Sequence, residues 1–159
     1  MRRTAFILPA LALACGEGEP AGSPDGGGGP PSTCPIPTPV AAPTFSANVL
    51  PMLQATCGSL ATSCHGGATA AGHVQYATGP GRTAQDVYAD LVNASPSNAP
   101  AGFLRVKPGD PAQSWLFEKV TKDQPGGAGY GARMPYGLPN LCQPTVDTLA
   151  SWITQQAPF

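Results

Sequence analysis

Cys57-Gly58-Ser59-Leu60-Ala61-Thr62-Ser63-Cys64-His65, followed by Gly66-Gly67, is the stretch on which the reading of this chain turns. It holds two thiols, with an imidazole directly after the second. Upstream, Phe45, Val49, Met52 and Leu53 recur at helical spacing, with Thr44 or Ser46 as cap, so a helix runs into Cys57. Pro51 belongs in an early turn of that helix or at a break in it, because its ring clashes with the carbonyl four residues back. Gly58 is the natural stop. In an unbroken helix Cys57 and Cys64 would be separated by about 10 Å of rise. A loop-out at Gly58 brings them closer.

Downstream, the elements follow in order. Thr83 caps a second helix to about Asn93, with Val87, Tyr88, Leu91 and Val92 inward. Asp110-Pro111-Ala112-Gln113 has the N-cap, the favoured first proline and the capping-box position of a third helix, which carries Trp115, Leu116, Lys119 and Val120. A glycine-rich loop over 124–131 delivers Arg133-Met134-Pro135. Pro144 opens a last helix with Val146, Leu149, Ala150, Trp152 and Ile153 on its inner face. The fold class is therefore all-α: a small domain of about four helices joined by long Gly/Pro loops.

The 159 residues leave room for one modest domain over 44–159. Eight basic against nine acidic residues carry no electropositive footprint, so nucleic acid is not an expected partner. Residues 1–14, with Arg2-Arg3 and an apolar run from Ala5, read as a signal peptide too short to span a bilayer. Ala12-Leu13-Ala14 suits cleavage, and Cys15 stands where a bacterial lipoprotein is lipidated. Residues 15–43 are Gly/Pro-rich and read as a flexible tether, with Cys34 inside it. The expectation is an exported, cell-envelope lipoprotein, held at a periplasm-facing membrane by its lipid. The remaining cysteines would then meet an oxidising compartment.

Cys57, Cys64 and His65 form a widened version of the C-x-x-C-H signal for covalent haem attachment, in which thiols add to vinyl groups and the histidine ligates iron. The order of elements supports it: Phe-x-x-x-Val-x-Pro-x-Leu, then Cys-His-Gly, then Pro-Gly-Asp-Pro-x-x-Ser-x-Leu, then Met-Pro before a helix with Trp-Ile. Over roughly Phe45 to Ala157 this resembles the small c-type-cytochrome-like haem domains of exported planctomycete and myxobacterial proteins, often lipoproteins. The resemblance implies haem c, attached through Cys57 and Cys64 or through Cys64 alone. It implies His65 as proximal iron ligand, Met134 as distal ligand, and one-electron exchange with periplasmic or membrane redox proteins. An electron carrier is expected in preference to a catalyst. Arg133, beside Met134, offers a guanidinium to a haem propionate.

Several uses of these residues compete. Cys57 can instead form a disulfide with Cys142, stapling the first helix end to the start of the last. The sequence leaves the pairing of Cys34 open. Cys57, Cys64, His65 and Cys142 are also of zinc-ligating type, though irregularly spaced. His73 is a spare iron ligand or a solvated loop residue. At the level of function, the alternative is a haemless, disulfide-stabilised envelope module with an interaction or structural role. A small peroxidase would need an open distal position. Paired carboxylates, a nucleophile elbow and a phosphate loop do not stand out, so hydrolysis and group transfer have no support.

Overall fold

The computed structural model describes residues 34–58, 64–67 and 70–159. The signal segment 1–14, the lipidation candidate Cys15 and the tether as far as residue 33 lie outside the described residues, as do 59–63 within the Cys57–His65 stretch.

Helix α1 is a composite. A wide π-helical stretch, Phe45–Val49, passes into a short α-helical turn, Leu50–Leu53, and then into a second wide stretch, Gln54–Gly58. Pro51 explains the first wide stretch. It has no N–H and would crowd the carbonyl of Ala47 in a regular helix, and a wider turn relieves that contact. Thr44 caps the start, its side chain accepting from the Ala47 N–H.

Helix α2, Ala84–Leu91, opens with a reciprocal capping box: Thr83 accepts from the Asp86 N–H while Asp86 accepts from the Thr83 N–H. The third helix differs from the sequence expectation. Pro111–Gln113 is a single 3₁₀ turn capped by Asp110, and helix α3 proper is Trp115–Thr121. Between them Ser114 is extended and fully buried, its hydroxyl accepting from the Lys107 N–H and donating to the Asp110 carbonyl. That pair of tertiary bonds ends the turn and restarts the helix on a new axis. Helix α4, Gln143–Thr154, carries Pro144 in its first turn as expected.

The architecture is all-helical, with about four helices; among the described residues the only β-pairing is three isolated bridges. Phe45, Val49 and Leu53 of α1 pack with Leu91 of α2, Val120 of α3 and Trp152 of α4 in one core. The Trp152 indole N–H donates to the Pro158 carbonyl, which also accepts from the Phe45 N–H, so the chain end folds back over the start of α1. Among the described residues no helix is long and apolar enough to cross a membrane.

Residues 34–43, expected within the tether, lie along α4 instead. Val40 N–H donates to Thr148, the Ile36 carbonyl accepts from Thr145, and the Ala41 carbonyl accepts from Ser151 and Gln155. Thr145, Thr148, Ser151 and Gln155 recur every three or four residues, a polar stripe along one face of α4. The strap is stapled at its beginning by a disulfide between Cys34 and Cys142, with 5.6 Å between their Cα atoms. This corrects the expected Cys57–Cys142 pairing. Cys142 sits at the N-cap of α4, where the strap begins, and Cys57 belongs to the far end of α1.

Candidate functional site

The widened Cys57–His65 spacing is absorbed by local backbone bonding. The His65 N–H donates to the Cys57 carbonyl at 3.1 Å, so the two ends of the insertion meet. The returning chain is then pinned residue by residue. Ala71 N–H donates to the Cys64 carbonyl at 3.0 Å, and Tyr76 N–H to the His65 carbonyl at 2.7 Å. Gly58 allows close approach at this crossing: a Cβ there would stand 3.3 Å from the Cβ of Tyr76, a tight contact. Cys57 and Cys64 are consequently brought to one end of α1, not spaced along a helix.

The His65 ring is held from two sides. Its Nδ1 lies 2.8 Å from the carbonyl oxygen of Val74. A carbonyl can only accept, so Nδ1 carries the proton and the lone pair is on Nε2. The ring of buried Tyr76 packs against the imidazole, with centroids 4.9 Å apart. Burial raises the Tyr76 hydroxyl pKa well above its ordinary value, and the Cys57 thiol adds to that. Burial likewise pushes the Cys57 thiol up, opposed by a hydrogen bond from Thr56 and reinforced by Cys64. Burial thus disfavours the Cys57 thiolate.

Met134 arrives from the opposite part of the sequence. Its N–H donates to the Lys119 carbonyl at 2.7 Å. The Lys119 ammonium also binds the carbonyls of Tyr130 and Ala132 and lies 5.0 Å above the Trp115 ring. One residue of α3 thus organises the loop over 130–134 through both its backbone and its side chain. Burial pushes the Lys119 pKa down. The same loop closes on Trp115 at Gly126, which has φ +69° and whose Cβ would fall 2.8 Å from Pro100.

Cys57, Cys64, His65 and Met134 all line one cavity of about 750 Å³. Its walls include apolar Val74, Leu91 and Leu116, the aromatic rings of Tyr76, Trp115 and Tyr130, and the side chains of Arg105 and Lys119. Arg133 is not among the lining residues. Its guanidinium pairs with Asp123 at 3.0 Å. His73 is exposed and also stands outside the cavity. The zinc set loses Cys142 to its disulfide, and the described residues contain no cluster of three or more His, Cys, Asp or Glu able to hold a metal.

Sequence reasoning missed Val74, Tyr76, Arg105 and Lys119 as parts of this site. Val74 and Tyr76 carry an apolar alternation too short to stand out from the loop around it. Arg105 is delivered by the segment Leu104–Val106, which is wedged between the end of α2 and the start of α3. Val106 N–H donates to Leu91, and Leu116 N–H donates to the Arg105 carbonyl.

The residues brought together are an oriented imidazole, a thioether and two cysteines around an aromatic-lined hollow. Comparison with protein-family models, with curated proteins and with solved structures finds no match to this chain.

Proposed function

We propose that this chain is a haem-binding electron-transfer domain of the c-type-cytochrome-like kind, exported to the cell envelope and anchored there by lipid at Cys15. Haem c would be held covalently by Cys64, with Cys57 as second attachment, and His65 and Met134 would ligate its iron. A single observation carries this reading. Four residues spanning positions 57 to 134, picked from the sequence for one cofactor, line the same cavity of about 750 Å³. That volume falls in the range of cofactor pockets.

The chain's own residues fit the group. The Val74 carbonyl accepts a hydrogen bond from His65 Nδ1–H, which leaves Nε2 of the neutral ring for a metal. Tyr76 limits rotation of the ring. Lys119 holds the Met134 backbone at the cavity wall. Haem when bound supplies a one-electron couple, and a His/Met ligand pair raises its potential. Val74, Leu91, Trp115 and Leu116 keep that region apolar. Periplasmic or membrane redox proteins are the partners that such a carrier requires.

The test is a visible spectrum of protein exported from a strain competent in cytochrome maturation. A Soret band and a pyridine haemochrome spectrum are expected. A folded, colourless product would overturn the reading. A haemless envelope module is the competing function, favoured by the Cys34–Cys142 staple, which stabilises the domain without any cofactor. Intact mass separates the two readings, because only a covalent carrier gains the mass of haem.

A further inference from the structure

Among the described residues, Arg82, Lys107 and Arg133 each have a carboxylate partner: Asp90, Asp110 and Asp123. Arg105 and Lys119 have no such partner, and both line the cavity. Among the described residues no Asp or Glu lines it with them. Among the described residues both cations hydrogen-bond to main-chain carbonyls, Arg105 to those of Asp90 and Gly72 and Lys119 to those of Tyr130 and Ala132, and Lys119 also lies over the Trp115 ring. Each keeps donors in reserve, since a guanidinium has five N–H groups and an ammonium three. Two cations with donors to spare, in a lining whose described residues include no carboxylate, suit anionic groups on an otherwise apolar ligand.

We propose that Arg105 and Lys119 receive the two carboxylates of the bound porphyrin, so that the cavity selects a dicarboxylate macrocycle; this rests on the haem reading above. Arg133, engaged with Asp123 outside the cavity, has no part in it. The carbonyl contacts position each cation before the ligand arrives, so little side-chain freedom is lost on binding. Charge-assisted pairs inside a partly buried wall also outweigh their counterparts in open solvent.

The test uses the full chain produced without the cytochrome maturation system, titrated with iron protoporphyrin IX and with its dimethyl ester. Absorbance and quenching of tryptophan emission report binding. The diacid should bind about tenfold or more tightly than the ester. The double variant Arg105→Gln/Lys119→Gln should bring the two ligands close to parity, whereas Arg133→Gln should leave the ratio intact. Lys119→Arg, which keeps the charge, should preserve most of the discrimination, and urea midpoints show that each variant is folded. Equal binding of diacid and ester by the unaltered chain overturns the carboxylate assignment alone if His65→Ala still removes the iron-ligand spectrum. A ratio abolished by Arg133→Gln also overturns it. Binding of neither porphyrin overturns this proposal and the haem reading together.

Discussion

The Nδ1–H of His65 donates to the carbonyl oxygen of Val74 at 2.8 Å, and the ring of Tyr76 packs against the same imidazole. A solvated loop histidine has no need of either contact. Together they set the tautomer and restrict the ring, which is what a metal-binding imidazole requires.

His65→Ala should therefore remove the haem spectrum while costing only about 1 kcal/mol of stability from the lost ring contact. Tyr76→Ala should do the reverse. It empties a buried site, at about 3 kcal/mol, and loosens haem retention without abolishing the iron–imidazole signature. Urea unfolding and absorbance on the same samples check the pair. Similar losses in both readouts for both variants would argue against a ligand role for His65.

Met134 has a different signature. Met134→Ala should leave the domain folded, because the side chain is only partly buried. In the haem-bearing protein it should lower the reduction potential, since the thioether favours the reduced iron. Potentiometric titration measures this. An unchanged potential would make Met134 a gap-filling core residue and not a ligand. Peroxide turnover that is the same in the variant and the parent would point to a catalyst with an open distal position.

The Cys34–Cys142 disulfide closes a loop with a sequence separation of 108. In the chain-entropy account its removal costs on the order of 4 kcal/mol. Cys34→Ser should release the strap from α4 and lower the unfolding midpoint accordingly. Peptide mapping without reduction should recover Cys34 linked to Cys142. Recovery of a Cys57–Cys142 peptide would refute this pairing and remove Cys57 from the cavity chemistry.

The capping box of α2 predicts a specific acid response. Hydrogen bonds from the Thr83 backbone and hydroxyl hold the Asp86 carboxyl below its ordinary value of 3.8. A carboxylate with a depressed folded-state pKa stabilises the protein above its unfolded value, and that contribution is lost as pH falls through the folded one. Asp86→Asn should flatten the acid limb of the melting-temperature profile in that window and leave other pH dependence alone. A variant as acid-sensitive as the parent would show that the box contributes nothing measurable.

How much of this was legible in advance follows from the range over which each feature is encoded. Thr83, Asp110 and Pro144 mark element starts through bonds to residues within one turn, so local sequence sufficed. The break at Ser114 was not legible, because the partners that hold it extended include Lys107, on a separate segment. The strap over 34–43 was obscured by its proline content. Its anchors are the polar stripe Thr145, Thr148, Ser151 and Gln155, which in isolation looks like an ordinary solvent-facing side of a helix.

The sequence by itself determined the helical class, the starts of α1, α2 and α4, and the presence of two thiols, an imidazole and a thioether, since periodicity, caps and residue chemistry are written within a few positions. Only the tertiary structure decided that Cys142 meets Cys34, that Arg133 turns away to Asp123, and that Arg105 and Lys119 face the cavity with His65 and Met134. Those choices depend on which segments lie side by side after packing, and contacts made across tens of residues leave no local trace in the chain.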